Sequence, residues 1–219
     1  NKLKVPKSAL VLSGGFVLDS GNSNNKIELS VFAQRANRKG IPLKWQGYFD
    51  PETEPLDPET GQGVPYTTYA FAGQLVLLTV DTLTGEVSIE KVFAAHDVGK
   101  AINPMLLKGQ VYGGVMMGIG YALTEQVVLE KGENMNPNFR DYKILTAKDV
   151  VPIEAPVLET YDEDGPFGAK GIGEPALNPT MSAITNAIYN DTGIRIKKLP
   201  VSPENLLAEM KKNRKPARE

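Results

Sequence analysis

The 219-residue chain is 41% hydrophobic and 23% charged, the composition of an ordinary soluble globular protein long enough to bury a core without staples. A formal net charge of −2 excludes a nucleic-acid binder built on bulk positive charge. With no cysteine, the chain can form no disulfide, thiolate metal site or iron–sulfur cluster of its own, and its one histidine, His96, cannot build a zinc site alone.

In chain order, residues 8–18 (SALVLSGGFVL) read as two short strands around a Gly-Gly turn. Ser30 is placed to cap a helix through VFAQRANRK, with Gly40 as its stop. DPETEPLDPETGQG, residues 50–63, is an acidic, proline-rich loop. A calcium loop is disfavoured there because Pro55 takes the sixth position, where glycine is needed for the turn. QLVLLTVD and EVSIEKVFAA, joined by TLTG, predict an antiparallel hairpin over 75–94. Asn103 and Pro104 then read as the N-cap and first residue of a helix over MLLKGQVYGGVMMGIGYALTE, with Val111, Val115 and Met116 on its buried side. Lys108 and Gln110 interrupt this most membrane-like stretch and leave thirteen residues without a charge or amide, too few to span a bilayer. Residues 125–160 read as strands joined by the polar loop ENMNPNFRDY. Asn178-Pro179 repeat the cap-and-proline start of a helix ending at Gly193, and Ser202-Pro203 open a last helix before a basic tail. Strands and helices mix without βαβ alternation, which predicts an α+β fold with a mixed sheet and packed helices. The expected division is a strand and helix segment over 1–44, a main domain over 45–212 and the tail over 213–219. No secretory signal is read in NKLKVPKSALVLSGG, so a cytoplasmic location is expected.

Two features carry chemistry. Glycines 109, 113, 114, 118 and 120 each cost roughly 1 kcal/mol against alanine in a helix interior. They fit either tight packing against a neighbour or the close approach of a bulky, phosphate-bearing cofactor. GAKGIGEPALNP, residues 168–179, sets Glu174 between Gly173 and Pro175, in a stiff loop ahead of a helix. That carboxylate reads either as a surface glutamate or as a general base held in a cavity and tuned by burial. The run lacks the strand context of a dinucleotide-binding turn and the Gly-Lys-Ser/Thr ending of a phosphate loop.

The ordered series TGQGVPYTTYAF, VDTLTGEV, AAHDVGKAINP, GQVYGGVMMGIGYALTE, GPFGAKGIGEPAL, NAIYNDTGIRI and LPVSPE resembles the xanthine dehydrogenase family of molybdenum hydroxylases over about residues 45–210. The chain is similar to the C-terminal part of the molybdopterin-binding subunit. The resemblance implies that Glu174, of the GEP motif, lies beside the molybdenum as the base in hydroxylation of an N-heterocycle or aldehyde with water. It implies that Gln110 contacts the pterin and that Lys170, Gly171, Ile172 and Gly173 supply backbone near the metal. The implied cofactor is molybdopterin with molybdenum, with or without a cytosine dinucleotide. Iron–sulfur clusters and FAD would sit on partner chains, namely an iron–sulfur subunit and a flavin subunit. The remaining half of the molybdenum subunit would come from outside these residues, so the chain is expected to be a split subunit or a fragment, with no nucleic-acid or membrane partner. Val98 departs from the cysteine that many relatives carry in the HDVG stretch. Reductive or carbon monoxide chemistry on the same scaffold, a non-catalytic cofactor-holding module and a generic phosphate-binding domain stand as alternatives.

Overall fold

The computed structural model describes residues 3–213. The chain divides into two compact units between Asp50 and Pro51.

In the first unit, β1 (Leu10–Ser13), β2 (Phe16–Asp19) and β3 (Asn22–Glu28) form an antiparallel meander. Gly14 and Gly15 make the first turn at φ +55° and +80°, the left-handed pair a tight hairpin requires. Helix α1 (Leu29–Arg38) starts one residue before the expected cap. The β2–β3 ladder runs straight into the helix through Leu29 N–H and Gly15 C=O, 2.9 Å apart. Ser30 therefore lies inside the first turn, where its hydroxyl donates to the Glu28 carboxylate. Gly40, at φ +69°, ends the segment as expected.

The second unit is built on β4 (Ala72–Val80) and β5 (Val87–Asp97), the expected hairpin. Asp81 organises its turn by accepting from the Leu83 and Thr84 N–H groups at 2.7 and 3.3 Å. β5 is the centre of the sheet. It pairs antiparallel with β4, and parallel with β8 (Ile153–Glu154) and β9 (Val157–Leu158). The fold is the expected α+β arrangement with a mixed sheet. The strands expected within 125–160 shrink to two-residue pieces, these two and the small hairpin β6 (Leu129–Glu130) and β7 (Glu133–Asn134).

Helix α2 (Pro104–Leu123) is capped as its sequence predicts, with Asn103 Oδ1 accepting from Leu106 N–H at 3.1 Å. α3 (Asn178–Thr192) lies along β4, and α2 packs on α3 and touches β5. Val111 and Val115 are buried at this junction with Val92, Ile184 and Ile188, and Met116 is half-buried against them. α3 is not capped by Asn178. Leu177 already has helical dihedrals, and its N–H donates to Glu174 C=O at 3.0 Å. Pro175 fixes the second position of that turn, so the helix inherits a start from the loop instead of from a capping side chain. Gly193, left-handed at φ +72°, ends α3, and α4 (Pro203–Asn213) covers the base of the core through Leu206 and Met210. The basic tail lies, from residue 214 onward, outside the described residues. No helix among the described residues is long and apolar enough to cross a membrane.

Candidate functional site

The site begins where β5 ends. Asp97 is 7% exposed and its carboxylate is fully engaged. Oδ1 accepts from Gly99 N–H at 3.0 Å and the Thr160 hydroxyl at 2.5 Å, and Oδ2 accepts from Lys170 Nζ at 2.7 Å. Burial pushes this carboxyl up, but the Lys170 ammonium, the Thr160 hydroxyl and the Gly99 amide outweigh it and bring it down to about 2. The backbone closes the same junction: Lys170 N–H donates to Val98 C=O at 2.9 Å, and Lys100 N–H to Gly168 C=O at 2.6 Å. A Cβ on Gly99 would fall 2.3 Å from the Gly168 oxygen, so only glycine permits this approach. Val98 is buried beside it, so at this position the side chain fills the interior.

From this junction the chain runs through Gly171, Ile172 and Gly173 to Glu174 and meets one face of α2. Gly109, Gln110, Gly113, Gly114, Met117 and Tyr121 form one wall of an open groove of about 710 Å³, and Gly173, Glu174, Leu177 and Asn178 form the other. A second hollow of about 300 Å³, lined by Asn103, Leu107, Lys170 and Ile172 among others, shares Gln110 and Gly173 with the first. Gln110 Nε2 reaches Gly173 C=O at 3.4 Å, a long bond that leaves its oxygen and second N–H free.

The far side of the turn is held from beneath. Gln74 on β4 donates to Ala176 C=O at 2.9 Å and accepts from the Thr180 hydroxyl at 2.7 Å. His96 Nε2 lies 3.4 Å from Gln74 Nε2, and His96 Nδ1 is buried with no bonding partner among the described residues. Burial lowers the pKa of this ring.

The structure thus brings Gln110, Gly173 and Glu174 to one groove, with Ile172 half-buried against the core behind it. Lys170 stands differently: its N–H and its ammonium are both committed inside the protein, to Val98 and Asp97. Glu174 is exposed, with no described residue bonded to its carboxylate, so the cavity expected to bury it is open on this chain. Asp97, Gln74 and Thr180 were not singled out from sequence. The only signal for Asp97 was a His-Asp pair followed by the Gly99 turn in HDVG.

A family model described as a molybdopterin cofactor-binding domain matches residues 1–151. The chain belongs to the molybdopterin cofactor-binding domain family. That match takes in the first 44 residues, ahead of the stretch where the resemblance was read. The chain is 39% identical over 142 residues to the xanthine dehydrogenase molybdenum-binding subunit of Escherichia coli O157:H7, covering 64% of this chain and 19% of that one. It is 29% identical over 216 residues to the nicotine 6-hydroxylase large subunit of Paenarthrobacter nicotinovorans, covering 96% of this chain and 26% of that one. Among solved structures, the aldehyde oxidoreductase of Desulfovibrio desulfuricans superposes with a TM-score of 0.71 at 33% identity, over 81% of this chain and 19% of that one. The chain thus spans about a fifth to a quarter of the length of the relatives it matches.

The groove of this molybdopterin-binding domain fits such a cofactor. Cβ atoms built on Gly109 and Gly113 of one wall and Gly173 of the other meet nothing within 4 Å among the described residues, so each wall has a stretch of backbone open to the groove. The donors beside them, the free amide atoms of Gln110 and main-chain groups of the loop, are neutral and suit a flat heterocycle rich in hydrogen-bonding atoms. No group of three histidines, cysteines or acids that could hold a metal ion by protein ligands occurs among the described residues.

Proposed function

We propose that this chain forms part of the active site of a molybdenum hydroxylase acting on an N-heterocycle or an aldehyde. The observation that carries the reading is the juxtaposition of Glu174 with the glycine-lined groove along α2. When bound, the molybdenum cofactor supplies the two-electron oxidation. Gln110 and the backbone of Gly171, Ile172 and Gly173 hold the pterin, in its simple or cytosine dinucleotide form. The Glu174 carboxylate takes up the proton released as an oxygen derived from water is transferred to the substrate carbon. Lys170 contributes by fixing the loop and presenting its carbonyl, because its other polar groups are spent within the fold. The remaining length of the molybdenum subunit closes the cleft over Glu174 and excludes water. Iron–sulfur and flavin partners receive the electrons.

The test is Glu174→Gln in the assembled enzyme. The amide is nearly isosteric and cannot accept the proton. A loss of kcat of about a hundredfold or more is expected, with molybdenum content unchanged. Near-normal turnover under conditions where chemistry limits the rate removes Glu174 as the base and favours a module that only holds the cofactor.

A further inference from the structure

The structure assigns Asp97 and Lys170 as a positioning pair, an ionic clamp that sets the path of the loop carrying Glu174. This rests on the reading of Glu174 as the base. The segment from Lys170 to Ala176 is pinned at both ends and slack between them. At its far end Ala176 is fully buried and its C=O accepts from Gln74 at 2.9 Å. At its near end Lys170 Nζ meets Asp97 at 2.7 Å and Asp162 at 3.9 Å, and lies 5.4 Å from the Phe71 ring centre. Between the pins stand Gly171 and Gly173, where an added Cβ would meet nothing within 4 Å among the described residues, so the loop has little side-chain packing of its own to resist rotation. The half-buried Ile172, the long Gln110 bond and the turn in which Leu177 N–H donates to Glu174 C=O at 3.0 Å restrain it there. Glu174 therefore points where the two pins send it.

The clamp's chemistry suits that task better than an apolar contact would. The Lys170 and Asp97 side chains are 11% and 10% exposed, so both ions are largely withdrawn from water, and each is costly to hold without the other. Asp97 uses both oxygens. One fixes the Gly99 turn and Thr160, the other fixes Lys170, so the end of β5 and the loop share a single carboxylate. A carboxylate that ties the Gly99 backbone turn to the Thr160 and Lys170 side chains controls direction as well as distance, which is what placing a proton acceptor needs.

The experiment uses the assembled enzyme with Asp97→Asn, Lys170→Met, their combination and Lys170→Arg, and compares each with Glu154→Gln. Glu154 pairs with Lys91 on the exposed side of the sheet. Amide exchange over residues 165–178, kcat, KM and molybdenum content are measured. Asp97→Asn and Lys170→Met should speed exchange in 165–178 about tenfold or more while 87–96 stays protected. They should lower kcat by roughly tenfold to a hundredfold, with KM changed less than about threefold. The double variant should lose no more than the worse single one, since either change opens the same clamp. Lys170→Arg should recover most of kcat, and Glu154→Gln should match the parent. Unchanged exchange over 165–178, or faster exchange with unchanged kcat, overturns the proposal. If Asp97→Asn does not fold, the Lys170→Met and Lys170→Arg pair decides alone. If Glu174→Gln keeps its turnover, the base assignment fails, while exchange over 165–178 still decides the clamp.

Discussion

Helix α2 contains the same residue used in opposite ways on two of its faces. Gly114 and Gly118 are pressed against the start of α3: a Cβ on Gly114 would lie 2.6 Å from Ala176 Cβ, and one on Gly118 would lie 2.5 Å from Thr180 Cβ. A Cβ on Gly109 or Gly113 would meet nothing within 4 Å among the described residues. The first pair lets two helices approach closely, and that packing explains their roughly 1 kcal/mol helix penalty each. The second pair gains nothing from the described fold. Alanine would fit at both positions, so the open space there is available to the cofactor proposed for the groove.

The largest effect should come from filling the packed face. In Gly118→Val the branched side chain must displace Thr180, whose hydroxyl bonds Gln74, so strain and a broken buried bond combine. A destabilisation of about 1–3 kcal/mol is expected, read as a lower thermal midpoint by circular dichroism. Gly113→Ala should do the reverse. With nothing to collide with among the described residues, the methyl should raise stability by roughly 1 kcal/mol while lowering molybdenum retention in the assembled enzyme. A Gly113→Ala enzyme that is both more stable and fully loaded with molybdenum would break the comparison, for the space would then hold no ligand.

The parts of this design that could be read from sequence are those written in local patterns. The β4–β5 hairpin, the Asn103–Pro104 helix start and the Gly193 stop each rest on residues a few positions apart, and all appear as expected. The five glycines of α2 could be recognised as a feature but not sorted, because sorting them requires knowing that Ala176 and Thr180 come to rest against two of them. Asp97 and Gln74 escaped for the same reason. Their partners Lys170 and Ala176 lie 73 and 102 residues away, and no local periodicity records such a pairing. Ser30 and Asn178 misled in a different way. Each is a good capping residue, but the preceding backbone had already begun the helix through the β3 junction and the Pro175 turn. Glu174 was legible as an unusual acid, and its groove was not.

The smallest effect concerns what lies behind the packed face, and it separates two neighbouring residues by pH. Thr180, which fills the space at Gly118, bonds Gln74, and His96 sits against Gln74 with its Nδ1 buried and without a partner among the described residues. Burial holds the His96 pKa below its ordinary value, so the unfolded chain takes up this proton more readily than the folded one. The His96 contribution is therefore complete above about pH 6.5 and is lost as pH falls through the folded value. Asp97 behaves alike in sign but in a lower window. Its carboxyl is brought from 3.8 to about 2, so its contribution is intact above about pH 4 and disappears as pH falls through about 2. Because His96 is the only histidine in the chain, the slope of stability between about pH 5 and 6.5 belongs chiefly to it. That slope should be positive with pH and below about 1.4 kcal/mol per pH unit. Thermal midpoints of the purified chain across this range should rise with pH, and in His96→Gln they should be flat. A parent chain whose midpoint is already flat there would mean that His96 accepts its proton without penalty, and the packed side of α2 would then be more open to water than the buried Thr180–Gln74 contact allows.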